Sequence, residues 1–259
     1  MLTQLRQDNP LIICITNDVV KNFTANGLLA LGASPAMATE QREMDEFLAH
    51  AGALLINIGS IEVGDVDNML AAAQYANQHR VPVVLDPVAC GASKFRKDFC
   101  LKLLHEHEIA VIRGNASELQ ALVGEASMKG TDADTSLSTE AVAQAAYEQF
   151  KCAIVVTGAI DAICVDGKVN LLENGTPLLT KVTGGGCLLG AVVASFIYNE
   201  TKPTLEVLTE AVTTYTVASE LAEKSPNGTL PGHFAVHLID QLYLIQESDV
   251  AKNRLVKEV

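Results

Sequence analysis

Val182-Thr183-Gly184-Gly185-Gly186-Cys187-Leu188-Leu189-Gly190-Ala191 is the stretch on which the reading of this chain turns. Consecutive glycines run into the apolar residues Cys187, Leu188, Leu189, Ala191, Val192, Val193, Ala194, Phe196 and Ile197, which predicts a tight loop opening a buried helix. The first N–H groups of a helix find no partner within it, and the positive end of the helix dipole stands behind them. With no Cβ atoms in the way, Gly184, Gly185 and Gly186 offer a seat for an oxyanion or a phosphoryl group. A glycine turn also serves simply to let a helix pack closely, so the loop takes its meaning from what converges on it.

Upstream, short apolar runs alternate with amphipathic segments. Leu11 to Ile15, Ala53 to Gly59, Val81 to Leu85, Ile109 to Ile112 and Ala153 to Val156 predict strands buried on both faces. Between them, Val19 to Leu31, Asp67 to His79, Phe95 to His105, Glu118 to Val123 and Glu140 to Phe150 read as helices, the first capped by Thr16-Asn17-Asp18. Gly32 to Ala38 is a loop or short strand, and Pro177 to Val182 a short extended piece. This alternation predicts an α/β fold, a mainly parallel central sheet with helices on both faces and right-handed crossovers. After Asp161 the period changes. Ala162 to Val165, Asp166-Gly167 and Lys168 to Leu172 read as a hairpin with a two-residue turn, a short antiparallel edge on the sheet. Helices over Cys187 to Asn199, Leu205 to Glu223 and Phe234 to Gln246 follow, and with no linker in its 259 residues the chain reads as one domain.

Composition narrows the function. With 31 acidic against 18 basic residues the formal charge is -13, which disfavours nucleic acid or an acidic membrane as partner yet leaves room for a local phosphate pocket. The polar stretch Met1 to Pro10 has no signal-peptide pattern and no apolar run spans a bilayer, so a cytoplasmic protein is expected. The six cysteines show no Cys-x-x-Cys or zinc spacing and read mostly as small buried hydrophobes in a reducing compartment. Cys187 is the exception by context, and at a helix start its thiol is expected to be more acidic than a free one. His233 and His237, four apart without a third ligand nearby, read as a solvated face rather than a metal pair.

Parallel sheets bind ligands beyond the carboxyl ends of their strands. There the chain places Asp86-Pro87, Arg113-Gly114-Asn115-Ala116-Ser117-Glu118 and Thr157-Gly158. Singly, each has a plain reading: Asp86 as a turn cap, Arg113 as a surface charge, Thr157-Gly158 as a turn, Asn115-x-x-Glu118 as a helix-capping pair. Together, at equivalent positions beside the glycine loop, they form one chemically loaded rim. Asn22 and Asn26 share a helix face and either contact a ligand or meet solvent, while Met37 is core filling unless its loop borders a pocket.

The order of these motifs resembles the ribokinase-like superfamily and, within it, the hydroxyethylthiazole kinases. The resemblance rests on Thr16-Asn17-Asp18-Val19-Val20, on Asn22 through Met37, and on Leu85-Asp86-Pro87-Val88, Arg113 through Glu118, Thr157-Gly158 and Val182 through Cys187. It implies transfer of the γ-phosphoryl group of ATP to the hydroxyl of 4-methyl-5-(2-hydroxyethyl)thiazole, a salvage step feeding thiamine synthesis. It further implies that Arg113 and Thr157 contact ATP, that Met37 and Gly184 contact the substrate, and that Asp86 and Glu118 organise hydrated Mg²⁺. A homotrimer with the thiazole site between subunits also comes from the resemblance alone. A small polar group such as Asn26 suits a neutral thiazole. Cys187, where most ribokinase-like kinases carry an aspartate base, is expected beside Gly184 to Gly186 as a hydroxyl-positioning group or weak base. Ala89-Cys90 and His233 depart from the family pattern. The competing functions are a kinase for another vitamin-precursor alcohol, a nucleotide-dependent NAD(P)H-hydrate dehydratase, a cysteine hydrolase or acyltransferase, and a non-catalytic sensor of nucleotide or thiazole.

Overall fold

The structure, a computed structural model, describes residues 1–124 and 138–259. Its elements run α1 (Leu2–Asp8), β1 (Leu11–Ile15), α2 (Lys21–Leu31), β2 (Ser34–Ala36), α3 (Gln41–Leu48), β3 (Ala53–Asn57), α4 (Val63–His79), β4 (Val83–Asp86), α5 (Lys94–Glu106), β5 (Val111–Asn115), α6 (Ala116–Val123), α7 (Thr139–Phe150) and β6 (Ala153–Thr157). They continue with β7 (Asp161–Val165), β8 (Lys168–Leu172), a short 3-10 helix (Pro177–Lys181), α8 (Gly185–Phe196), α9 (Leu205–Lys224), α10 (Pro231–Leu244), α11 (Glu247–Asn253) and β9 (Val256–Glu258). No helix among the described residues is long and apolar enough to cross a membrane.

The strands form one nine-stranded sheet in the order β2-β1-β3-β4-β5-β6-β7-β8-β9. Pairings from β2 through β6 are parallel, and β7, β8 and β9 add antiparallel strands. Strand residues alternate between two cores, as the period-2 pleat requires. Ile12, Cys14, Leu55, Val84 and Val155 pack with α1, α2, α8, α9 and α10, while Ile13, Ile15, Ile56, Leu85 and Ile154 pack with α3 to α7. The expected layered α/β fold is what forms. The Asp166-Gly167 turn adopts φ 50° and 75°, the left-handed pair a two-residue hairpin needs.

The differences from expectation lie where the apolar signal is thin. α1 and α3 each bury only two side chains, Leu2 with Leu5 and Met44 with Leu48, too few to mark a period. Pro177–Lys181 is a 3-10 helix rather than an extended piece, because Pro177 starts its first turn and Thr176 caps it by accepting from Leu178 N. The hairpin is not the sheet edge: β9 pairs outside β8. The cap of α2 is Val20 rather than Thr16-Asn17-Asp18, which leaves the Asn17 side chain free to turn inward.

Candidate active site

Register alone assembles the rim. Asn57 at the end of β3 lies opposite Asp86 at the end of β4, and Asn115 at the end of β5 opposite Thr157 at the end of β6. These polar side chains join into a chain of contacts. Arg113 Nη2 donates to Thr157 Oγ1 at 3.1 Å, and Arg113 Nη1 stands 3.5 Å from Asp86 Oδ2. Asn57 Nδ2 donates to the same Asp86 oxygen at 2.8 Å, and Asn57 Oδ1 accepts from Asn17 Nδ2 at 3.2 Å. Asn17 Nδ2 in turn lies 3.9 Å from Cys187 Sγ. Asp86, Arg113, Thr157 and Cys187 therefore meet at one place, as expected, joined by Asn17 and Asn57.

The glycine loop closes over this row. Gly184 adopts φ 91°, a left-handed conformation that lets the chain enter α8 without strain. A Cβ on Gly185 would meet the Leu179 carbonyl oxygen at 2.6 Å, and one on Gly186 would stand 3.2 Å from Arg113 Nη1. Gly185 N–H is used by Val182 O and Leu188 N–H by Gly184 O. No side chain caps the helix, so the N–H groups of Gly186 and Cys187 have no partner among the described residues. Gly186 is exposed at the surface of the cleft. Two unpaired donors, the helix dipole and a guanidinium thus face the same space, the arrangement an anion requires.

Beside them opens a cavity of about 560 Å³ whose walls include Arg113, Thr157, Asp161, Leu179, Gly185, Gly186 and Tyr215. Its volume suits a nucleotide-sized ligand. Tyr215 is buried and donates its hydroxyl to Gly185 O at 2.6 Å, which fixes the first turn of α8 from behind. Asp161 Oδ1 accepts from Gly158 N at 2.9 Å and so holds the Thr157-Gly158 turn, while burial pushes its carboxyl up to about 6. Asp161, Tyr215 and Leu179 carried no motif that marked them.

Asp86 is fully buried, and burial pushes its carboxyl up to about 6 against the opposing pull of Arg113. Its Oδ1 has no partner among the described residues. A buried carboxylate oxygen with no hydrogen-bond donor suits a cation. No group of three or more His, Cys, Asp or Glu side chains is gathered among the described residues, so a metal would lack an all-protein cage. Magnesium, which keeps waters and takes phosphate oxygens, fits such a sparse donor set; zinc does not. Glu118 sits at the start of α6, where Oε1 accepts from Ala89 N at 2.9 Å and Oε2 from Asn115 N at 2.8 Å. The Asn115–Glu118 capping box is real, and Glu118 also ties the β4 loop to α6.

One expectation fails: the Cys187 thiol is raised above its ordinary value, not lowered. Burial, followed by the nearby Asp86 charge, outweighs the lowering by Asn57, Arg113 and Asn17. Met37 is half-buried and packs against the core on the α8 side, and Gly184 abuts Val20 and Phe23 at the start of α2. Asn26 is exposed on α2 with its amide given to Asn22 at 3.0 Å. None of these three lines the cavity beside Arg113 and Tyr215. His237 Nε2 faces Pro226 O at 2.9 Å and the ring of His233 lies 6.3 Å away, so the pair gathers no ligand set.

Ala89, where the family resemblance calls for glycine, adopts φ 54°. An alanine held there pays a steric cost of about 1 kcal/mol. Ala89→Gly should raise the thermal midpoint by roughly 2–4 °C in a melting experiment, with activity unchanged. An unchanged or lower midpoint would show that the loop carries no such strain.

The model of the hydroxyethylthiazole kinase family matches residues 2–248. The hydroxyethylthiazole kinase of Macrococcus caseolyticus is 78% identical over 258 residues, covering 100% of this chain and 99% of its own. The solved structure of the hydroxyethylthiazole kinase protein of Pyrococcus horikoshii superposes with a TM-score of 0.90 at 38% identity, covering 100% of this chain and 97% of that one. A ribokinase-like superfamily protein of Enterococcus faecalis shares the fold, with a TM-score of 0.64 at 15% identity over 92% of this chain and 88% of its own.

Proposed function

Because the chain belongs to the hydroxyethylthiazole kinase family, we propose that it transfers the γ-phosphoryl group of ATP to the hydroxyl of 4-methyl-5-(2-hydroxyethyl)thiazole at the amino end of α8. One observation carries the reading. The unpaired N–H groups of Gly186 and Cys187 share their space with Arg113, Thr157 and Asp86. The family match favours this kinase over the dehydratase, hydrolase and sensor readings.

Phosphoryl transfer asks the protein chiefly to position the reactants and to neutralise charge on the transferring oxygens. The cavity beside Thr157 and Tyr215 takes the nucleotide, and Arg113 with the α8 N–H groups faces the charge that spreads over its terminal phosphate. Asp86 and Glu118 are the residues that would hold hydrated Mg²⁺. When bound, that ion would offset charge on the β- and γ-phosphate oxygens. Cys187, protonated because its thiol is raised, orients the substrate hydroxyl without placing a thiolate against the phosphate. If the transition state is loose the alcohol gives up its proton late, and that proton can pass to an oxygen of the phosphoryl group being transferred, so no strong protein base is needed.

Met37 and Gly184 contact the thiazole in this reading, with Asn26 as a small polar contact to it. The homotrimer in this reading comes from the family resemblance, and apolar side chains left open on α2 and α10 are available to a subunit contact. Leu29 is 59% exposed, Val236 62% and Tyr243 69%. The whole chain acts as one kinase domain in the cytoplasm.

Incubation with ATP, Mg²⁺ and a panel of vitamin-precursor alcohols, followed by mass detection of the products, tests the assignment. The thiazole alcohol should be phosphorylated. Phosphate on a pyrimidine alcohol but never on the thiazole would overturn the substrate.

A further inference from the structure

Asn17 lies just beyond β1, has no part in the reaction as described, and is built into the site from two sides. It is only 7% exposed. Its partner Asn57 is fixed in orientation, since Asn57 Nδ2 donates to Asp86 Oδ2 at 2.8 Å while Asn57 Oδ1 accepts from Gly59 N at 3.0 Å. Any group meeting that oxygen must be a donor, so Asn17 presents its NH₂ end there, at 3.2 Å. An amide nitrogen carries two hydrogens, and the second faces Cys187 Sγ at 3.9 Å. There is little room for the amide to swing away, because a Cβ on Gly59 would come within 2.5 Å of Asn17 Nδ2. The other end of the amide, Oδ1, is buried without a partner among the described residues. An acceptor left unmatched costs stability, so packing alone does not explain an asparagine here.

We propose that Asn17, oriented by Asn57, is a positioning residue for the phosphoryl transfer: it donates to the Cys187 sulfur and so fixes the direction in which the thiol meets the substrate hydroxyl. One lone pair of Sγ is occupied by Asn17. The S–H and the other lone pair are left to the alcohol. Asp86, Asn57, Asn17 and Cys187 then form a single hydrogen-bonded row that ties the phosphate side of the site to the hydroxyl side. The inference rests on the kinase reading given above.

A double-mutant cycle tests it. kcat and both KM values are measured for the wild type, Asn17→Ala, Cys187→Ala and the double variant, with ATP, Mg²⁺ and the thiazole alcohol. Asn17→Ala should lower kcat by roughly five- to tenfold, the worth of one hydrogen bond, with the KM for ATP little changed. In the Cys187→Ala background the same substitution should cost nothing further. A multiplicative loss in the double variant, a loss confined to the KM for ATP, or a Cys187→Ala variant as active as the wild type would overturn the proposal. If Asn17→Ala does not fold, Asn17→Ser enters the same cycle. A wild type that never phosphorylates the thiazole alcohol would remove the kinase reading and the inference with it. Wild-type turnover with independent losses removes only the role of Asn17.

Discussion

Asp86→Asn should lower kcat/KM by roughly 10³-fold, about 4 kcal/mol of transition-state stabilisation, while the protein stays folded. Asparagine keeps the shape of the side chain and an oxygen to receive the Asn57 amide, but it loses the charge that faces Arg113. It also loses the negative charge shared by the buried, unpartnered Oδ1, so the Mg²⁺ concentration needed for half-maximal rate should rise. Stability should move with pH in a defined direction. The carboxyl of Asp86 sits at about 6 in the folded protein against 3.8 ordinarily, chiefly through burial. A raised carboxyl contributes most to stability below its unfolded pKa, and that contribution is lost as pH rises through about 6. Melting curves of wild type and Asp86→Asn should therefore show the wild type losing ground to the variant between about pH 4 and pH 6. Full turnover in Asp86→Asn would remove Asp86 from the mechanism.

The second large effect is steric. In Gly185→Ala the new Cβ would lie 2.6 Å from the carbonyl oxygen of Leu179, a backbone atom in the cavity wall that cannot rotate away. Gly185 cannot retreat either, because Tyr215 holds its carbonyl from the core side at 2.6 Å. Either α8 or the 3-10 helix must shift. Overpacking of this kind costs about 1–3 kcal/mol, and it displaces the helix start from Arg113. We expect a lower thermal midpoint and a KM for ATP raised by about tenfold to a hundredfold, since loss of a positioned phosphate contact is worth a similar amount. Gly64→Ala is the control. Its Cβ meets nothing within 4 Å, so it should leave activity intact and slightly stabilise α4. Equal behaviour of the two variants would show that Gly185 is not placed as described.

Much of this site was legible because strand ends are legible. Apolar runs such as Val83–Asp86 and Ala153–Thr157 announce buried parallel strands, and the topology then places their last residues in one row. Asp86, Arg113 and Thr157 followed from that rule, and Gly184 to Gly186 from the helix they open. Asn57 carries only a faint signal, a polar residue at the end of an otherwise apolar strand. Asn17 was hidden by a rival explanation, since an asparagine ahead of a helix reads as a cap; α2 starts three residues later than such a cap requires. Tyr215 and Asp161 depend on tertiary packing of α9 and β7, which local pattern does not encode. The acidity of Cys187 is illegible for the same reason: a helix start lowers a thiol, but the depth of burial and the approach of Asp86 are properties of the fold.

The most direct test of the central claim is a crystal structure with a non-hydrolysable ATP analogue and Mg²⁺. The account predicts the terminal phosphate against the N–H groups of Gly186 and Cys187, with Arg113 in contact with the phosphates and Thr157 beside the nucleotide. A nucleotide seated elsewhere, or one whose phosphates turn away from the start of α8, would contradict it.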